Sequence, residues 1–292
     1  SLAGRMEILT LWPLAETEIL KTPPCFLKNI FEPDLPEHLM PIEKITLLSR
    51  LVTGGFPEAF QRKNDSRREQ WFNSYITTIL QRDIRDIAKI EGLSALPQLL
   101  SLLAARSGSL LNYAELSRTS TIPQSTLKRY MTLLETTFLI KMLPAWSSNR
   151  NKRLVKSPKI MLCDTGLLCY LCGINATRLL KDPSLTGRIL ENFVFLELQK
   201  QIAYSETKYQ IFHYRSTTGK EVDFIIEDMA GNITAIELKS RETIKKSDFS
   251  GIKTFAEETG DKFKAGILFY TGKEVVPFGK NQLALPISAL WS

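Results

Sequence analysis

Three residues in the last third of the chain are of types that could carry metal-dependent chemistry. Asp223, Glu237 and Lys239 lie in two apolar stretches that are separated by Met-Ala-Gly at 229–231. If these three residues form a hairpin loop, the glycine takes the left-handed conformation that such a loop needs. Asp223 and Glu237 then face each other directly, with about 5 Å between their Cβ atoms. Lys239 shares that face because strand side chains alternate.

Two opposed carboxylates repel each other unless a positive charge lies between them. A hard divalent cation such as Mg²⁺ or Mn²⁺ takes oxygen ligands and suits that position. A lysine beside the ion can orient a water molecule or stabilise a phosphate under attack. The three residues therefore predict a site for phosphodiester hydrolysis. The alternative interpretation is a surface ion network with little energetic consequence.

Glu191 is the third acid that we assign to this site as a metal ligand. It lies in a predicted helix at 188–202 and aligns with Val194, Phe195 and Leu198, an apolar stripe that should face the sheet. A carboxylate on such a stripe needs a partner. A metal shared with Asp223 and Glu237 would provide one.

The elements that position these residues follow the order helix, three strands, helix, strand. Alternation and apolar runs predict strands at 211–216, 221–227, 233–240 and 264–270. Helical periodicity predicts helices at 188–202 and 248–258. The hairpin directs its other face to the core, and that face consists of Val222, Phe224, Ile226, Ile236 and Leu238.

This frame, with Asp followed by Glu-x-Lys on neighbouring strands, resembles the PD-(D/E)xK nuclease superfamily over roughly the last third of the chain. The resemblance implies that Asp223 and Glu237 are metal ligands, that Lys239 is the catalytic lysine and that Glu191 is the helix acid. One departure is Val222, which stands where many members have a proline before the Asp.

The segment that precedes this frame predicts a winged helix-turn-helix domain. Helices are predicted at 95–107, 114–117 and 125–136, and a strand at 138–143. The inner stripe of the last helix is Leu127, Met131, Leu134 and Phe138. In a winged helix this last helix enters the major groove of DNA. A small helical domain with an ordinary solvated face, or a module that binds protein, remains open.

Two groups of residues are the candidates for DNA contact. The groove-reading group comprises Gln124, Ser125, Thr126, Lys128 and Arg129. Basic residues at 147–153 would form a wing or flank that contacts phosphates. These are Arg150, Lys152 and Arg153.

Residues 1–90 are predicted to be mainly helical, with prolines interrupting the helices and a short strand at 6–14. A long helix starts at Arg67 and turns Trp71, Tyr75, Ile79, Ile84 and Ile87 to one side. The whole chain has 292 residues, 43% hydrophobic and 24% charged, as expected for two or three soluble domains. A net charge of +7 and a pI near 9.1 are compatible with a polyanionic partner such as DNA.

No apolar run is long enough to predict a membrane span. The chain begins with Ser1, without an initiator Met or a signal peptide, so we expect a cytoplasmic protein and a piece of a longer one. Cys169-x-x-Cys172 has zinc or redox spacing, but few further ligands are near, so the thiols are interpreted as reduced core residues. Asp164-Thr165-Gly166 matches the aspartic-protease triplet only once, and Asp164 fits better as a helix N-cap.

A broader similarity extends over the whole chain. Motifs recur in the order found in the C-terminal part of prokaryotic AAA-type ATPases that carry a domain of unknown function. The motifs are Ser-Leu-Ala-Gly-Arg (1–5), Gly-Gly-Phe-Pro-Glu (54–58), Gln-Arg-Asp-Ile (81–84), Lys-Arg-Leu (152–154), Ser-Pro-Lys (157–159), Asp-Thr-Gly-Leu (164–167), Glu-Asn-Phe (191–193) and Glu-Val-Asp-Phe (221–224). The chain has no P-loop, so we expect no ATP site in it.

The resulting prediction is an α/β multidomain protein. Residues 1–90 would be the end of an ATPase core with its helical lid or a linker, residues 91–150 a winged helix, and residues 151–292 an αβββαβ nuclease-like domain. The expected function is DNA binding with a Mg²⁺-dependent nuclease site. A non-catalytic module that binds DNA or protein, and an ATPase accessory part, are the alternatives. An ATPase domain and a second copy of the chain are further expected partners.

Overall fold

The computed structural model describes residue 5 and residues 9–23, 26–31, 39–84, 93–279 and 281–292. It is an α/β structure with a helical first part and a mixed six-stranded sheet at its carboxyl end. No helix within these ranges is both long and apolar enough to cross a membrane.

The first part contains α1 (Glu16–Leu20), α2 (Lys44–Thr53), α3 (Pro57–Phe60) and α4 (Asp65–Thr78), which continues as a π-helix at Ile79–Asp83. The predicted strand at 6–14 is wrong over its described part, 9–14, which pairs with no strand. The backbone of Leu14 instead donates a hydrogen bond to Gly55. On α4, Phe72 and Ile76 are the buried residues. Ile87 and residues 6–8 lie outside the described ranges.

The middle part follows the predicted order of helices and strand. Its elements are α5 (Leu96–Ala105), α6 (Tyr113–Ser120), α7 (Gln124–Thr136), β1 (Ile140–Leu143), α8 (Arg150–Val155) and β2 (Lys159–Leu162). β1 and β2 pair antiparallel, and Leu110 bridges to Lys159 at the end of β2. The predicted boundary between the winged-helix and nuclease-like domains, at 150–151, lies between β1 and β2, although these two strands pair with each other.

Two details of the middle part differ from the prediction. Phe138 was expected in the inner stripe and in the strand, but it has φ +56° and is 57% exposed. It ends α7 in a left-handed conformation, so the strand starts only at Ile140. Residues 147–153 do not form a β wing, because α8 begins there, capped by the side chain of Asn149.

Three helices lead to the sheet: α9 (Thr165–Leu171), α10 (Ala176–Lys181) and α11 (Pro183–Tyr204). Asp164 caps α9 by accepting a hydrogen bond from the Leu167 backbone, as predicted, and it also accepts one from Gly55 at 2.7 Å. Gly54, at φ +72°, allows this approach, because a Cβ there would lie 2.3 Å from the Asp164 carboxylate. The Gly-Gly-Phe-Pro-Glu and Asp-Thr-Gly motifs are thus one packing contact.

The sheet is built from β3 (Tyr209–Arg215), β4 (Glu221–Asp228), β5 (Ile233–Lys239), β6 (Phe263–Tyr270), β7 (Val276–Gly279) and β8 (Gln282–Pro286). Their spatial order is β3-β4-β5-β6-β8-β7, in which β5, β6 and β8 are parallel and the other neighbours antiparallel. The predicted succession of helix, three strands, helix and strand is confirmed, and β7 and β8 extend it. The second helix is α12 (Ser250–Thr259).

Each face of the sheet has its own apolar core. On one face α11 packs against the sheet, and the rings of Phe195 and Phe224 lie 6.3 Å apart. That core continues into the helical first part and the middle part. On the other face, Phe255 of α12 and Phe249, which directly precedes that helix, pack with Ile225 and Ala235. The sheet is therefore rigidly supported on both sides, and the functional candidates lie where β4 and β5 meet the start of α11.

Candidate active site

The hairpin of β4 and β5 has the predicted register. Phe224 pairs with Ile236 and Glu227 with Ile233, which is the alignment that a loop at 229–231 dictates. Gly231 has φ +86°, and Asp228 and Asn232 close the loop through a backbone hydrogen bond of 3.1 Å. Regular pairing ends at Phe224 and Ile236, so Asp223 and Glu237 lie immediately beyond the last regular pair.

A β-bulge at Asp223 changes the side-chain directions. Phe212 of β3 pairs with Ile225, but Tyr214 pairs with Val222, so β4 has one residue more than β3 between these pairs. Val222 consequently packs with the α12 core and Phe224 with the α11 core. The prediction that both lie on one apolar face is therefore wrong. Bulges of this kind redirect side chains near active sites.

Asp223 accepts a hydrogen bond from the Leu238 backbone N–H at 2.9 Å through Oδ2. Its Oδ1 lies 3.8 Å from the Nζ atom of Lys159, at the start of β2. Lys159 Nζ also donates to Glu191 Oε1 at 2.6 Å, and the lysine side chain is only 9% exposed. Glu191 and Asp223 thus share one ammonium group.

Lys159 was not among the predicted site residues. The signal in the sequence is a lysine that follows a proline and opens the apolar run Ile-Met-Leu at 160–162. A buried lysine in such a run needs an anionic partner. Which acids it meets depends on how the middle part packs against α11, and no local pattern reveals that.

Glu237 has a different partner, Lys239, whose Nζ lies 2.7 Å from Oε1. The other oxygen, Oε2, is buried and has no hydrogen-bond partner in the described part of the chain. An unpartnered carboxylate oxygen in a buried position is costly and calls for a donor or a cation.

Burial and the closeness of the acids to one another raise the pKa values of two of them. Burial, and next the charge of Asp223, raises the pKa of Glu191 to about 7 and that of Glu237 to about 8. Burial acts to lower the pKa of Lys159, but the charges of Glu191 and Asp223 outweigh it, so that pKa is raised. The carboxylates therefore hold protons tightly until positive charge is supplied.

The three acids and Lys239 line one open groove of about 570 Å³. Its walls include the rim residues Ser184, Arg188, Glu221, Ser240 and Arg241 together with Glu191, Asp223, Glu237 and Lys239. All four residues predicted for catalysis and metal binding are therefore brought to a single cavity that is accessible to a ligand.

Asn192 fixes the position of Glu191. It is fully buried and exchanges two hydrogen bonds with the backbone of Leu162, at 2.8 and 3.0 Å. Its Oδ1 also accepts from the Ser107 hydroxyl at 2.7 Å. The backbone of α11 is thereby joined to β2, which carries Lys159, so the Glu191–Lys159 contact is held from both ends.

The chemistry of these side chains bears on whether a divalent ion can bind. Within the described ranges no three His, Cys, Asp or Glu side chains converge as ready metal ligands. Lys159 and Lys239 form ion pairs with the acids of the groove. The free Oε2 of buried Glu237 beside Asp223 nevertheless provides hard oxygen donors with excess negative charge. These residues fit Mg²⁺ or Mn²⁺.

The residues predicted to contact DNA do not form a single set. Gln124, Ser125, Lys128 and Arg129 are exposed at the start of α7, and Thr126 is half-buried. Lys128 also lies over the ring of Tyr113, 5.8 Å from its centre. Arg150 and Lys152 are exposed on α8.

Arg153 has another role. Its guanidinium pairs with Glu227 at 2.7 Å and lies over the rings of Trp146 and Phe212, and its side chain is only 12% exposed. A phosphate contact by Arg153 would have to compete with this ion pair. The sequence shows Arg153 in a basic run, but Glu227 and Phe212 are brought to it from strands that are distant in the chain.

Of the cysteines in the described part of the chain, Cys163 and Cys169 are core residues and Cys172 is half-buried. Cys163 and Cys169 are buried, and burial raises the pKa of the Cys163 thiol to about 12 and that of Cys169 as well. Thiols of this kind are poor metal ligands and weak nucleophiles. Cys25 and His38 lie outside the described residues.

Two family models match the chain. A domain of unknown function (DUF8612) covers residues 45–178, and a second domain of unknown function (DUF4143) covers residues 186–290. DUF4143 is typically associated with AAA-type ATPases. Lys159 lies in the first match, whereas Glu191, Asp223, Glu237 and Lys239 lie in the second.

The curated relatives are longer proteins. An uncharacterized protein of Mycobacterium tuberculosis is 30% identical over 66% of this chain and 42% of its own length. One of Haemophilus influenzae is 28% identical over 59% of this chain and 40% of its own length. One of Methanocaldococcus jannaschii is 24% identical over 100% of this chain and 64% of its own length. The chain therefore spans less than two thirds of each. No solved structure matches it.

Proposed function

We propose that this chain binds DNA and hydrolyses phosphodiester bonds with the help of Mg²⁺ or Mn²⁺. The observation that carries the proposal is the convergence of Glu191, Asp223, Glu237 and Lys239 on one open groove at the end of β4 and β5. Asp223 and Glu237 would hold the ion, which would activate water and neutralise the phosphate. Lys239, beside Glu237, would stabilise the charge that develops during attack.

The order of elements supports a nuclease-like frame of the PD-(D/E)xK type. Glu191 is supplied by the helix before the sheet, Asp223 by the second strand and Glu237 with Lys239 by the third. The bulge at Asp223 is the kind of device that redirects an acid towards a reacting group.

The middle part supports the proposed delivery of DNA by a winged helix. Its three helices precede a two-stranded antiparallel pair, and Leu110, in the loop between the first two of these helices, forms a β-bridge with Lys159 of the second strand. The exposed side chains at the start of α7 are polar or basic, as a helix that enters the major groove requires. α8, which connects the two strands, adds Arg150 and Lys152.

The test uses supercoiled plasmid and a labelled branched duplex, with Mg²⁺, with Mn²⁺ and with EDTA. We expect cleavage by the wild-type chain that requires the metal and is lost in Asp223→Ala and Lys239→Ala. Glu257→Ala and Lys253→Ala, exposed residues on α12, are the matched controls and should retain cleavage. Cleavage that survives in either site variant would contradict the assignment.

One observation favours a second candidate, a non-catalytic module that binds DNA or protein. Lys159 and Lys239 already form ion pairs with Glu191 and Glu237, so much of the negative charge is compensated by the chain itself. In the same experiment, salt-sensitive DNA binding without cleavage would support this module. The absence of both activities would favour an accessory part of an AAA-type ATPase.

A further inference from the structure

Lys159 places its ammonium between two acids of the groove, Glu191 and Asp223, where a cation would otherwise bind. Its Nζ lies 2.6 Å from Glu191 and 3.8 Å from Asp223. A divalent ion that bridged these two carboxylates would have to occupy the same position. Like charges repel strongly at such short range in a partly desolvated groove.

The lysine is held there by the backbone around it. Lys159 pairs with Leu143 across the ribbon of β1 and β2, and its neighbour Ile160 exchanges backbone hydrogen bonds with Gly108 and Ser109. Leu162 is bound to Asn192, the residue after Glu191. Both ends of the ion pair are therefore positioned by separate hydrogen bonds.

The acids divide into two groups as a result. Glu191 is neutralised by Lys159, whereas Glu237 keeps one buried oxygen, Oε2, without a partner in the described part of the chain. An ion is therefore best accommodated on the side of Glu237 and Asp223, away from Glu191.

We propose that the ammonium of Lys159 takes the place of a second divalent cation, so that Glu191 binds Lys159 and the groove takes one ion, at Asp223 and Glu237. The proposal rests on the proposed function for that one ion. It assigns Glu191 a positioning role in place of the expected role of metal ligand, and it makes the DUF8612 region supply a charge to the DUF4143 site.

The test counts bound Mn²⁺ per chain by electron paramagnetic resonance of the free ion, at constant ionic strength. Lys159→Met keeps the length of the side chain and removes its charge, so we expect one more bound ion than in the wild type. Lys159→Met combined with Glu191→Gln should lose this additional ion. Lys273→Met, which removes the ammonium from an exposed ion pair with Glu43, is the matched control and should leave the count unchanged.

An unchanged count in Lys159→Met, or an additional ion that persists in the double variant, would overturn the proposal. If Lys159→Met fails to fold, the number of Mn²⁺ ions bound by Glu191→Gln tests the proposal instead. We expect it to bind as many ions as the wild type, and loss of an ion would refute the assignment. A wild type that binds no ion, with one ion gained in Lys159→Met, would support the role of Lys159 and contradict the proposed metal-dependent function.

Discussion

Asn192→Ala is expected to destabilise the chain because it removes three buried hydrogen bonds. Asn192 is fully buried and binds the N–H and C=O of Leu162 and the hydroxyl of Ser107, with distances between 2.7 and 3.0 Å. Alanine leaves all three groups buried and without this partner. Each unsatisfied group costs about 1–3 kcal/mol. Because such costs add incompletely, we expect a loss of about 3–5 kcal/mol in the free energy of unfolding.

Urea denaturation followed by tryptophan fluorescence measures this loss, since Trp146 and Trp291 are buried and change environment on unfolding. Asn151→Ala, at an exposed position on α8, is the matched control and should change stability by less than about 0.5 kcal/mol. Domains typically have a free energy of unfolding of about 5–15 kcal/mol, so the Asn192→Ala variant should still fold and the loss can be measured. If Asn192→Ala costs less than about 1 kcal/mol, the reasoning that Asn192 joins α11 to β2 is refuted.

Three further changes test other parts of the structure. Burial raises the pKa of Glu16 from 4.5 to about 7, so the folded chain binds more protons than the unfolded chain in that window, and stability falls as pH rises through it. Relative to Glu16→Gln, wild-type stability in urea should fall by up to about 3 kcal/mol between about pH 5 and pH 8; parallel profiles would contradict this. Gly166→Ala places a Cβ 2.4 Å from the Thr53 carbonyl and should cost about 1–3 kcal/mol, whereas Gly173→Ala meets no atom within 4 Å and should cost about 1 kcal/mol from its φ of +61°. Equal losses in these two variants would show that the close contact is relieved elsewhere. Finally, Arg150→Ala with Lys152→Ala should reduce the slope of the logarithm of DNA affinity against the logarithm of salt concentration by about one per lost phosphate contact. Arg153→Ala should reduce stability and leave that slope unchanged. A reduced dependence in Arg153→Ala would return that residue to the DNA surface.

Features set by short-range rules could be predicted from the sequence. The loop at 229–231 determines the register of β4 and β5, because Gly231 accepts the left-handed conformation and the strands on either side alternate. Helical periodicity located α7 and α11 to within a few residues at most ends, and Asp164 was identifiable as an N-cap. In each case the determining interactions join residues that are close in the chain.

The bulge at Asp223 could not be predicted in this way. It arises where β4 must pair with β3 and β5 at once, and a local alternation pattern contains no information on that fit. The consequence is that Val222 and Phe224 pack on opposite faces, and Asp223 binds the backbone of Leu238.

The residues of the site were likewise predictable from the sequence only in part, and tertiary structure determined the rest. Residue types and spacing were sufficient to select Glu191, Asp223, Glu237 and Lys239, because paired acids and a nearby lysine are needed for the chemistry. The packing of β2 against α11 brings Lys159 to Glu191, and the contact between α8 and β4 pairs Arg153 with Glu227. Both outcomes have the same physical cause: a buried charge binds whichever opposite charge the fold places beside it, and that neighbour is remote in the chain.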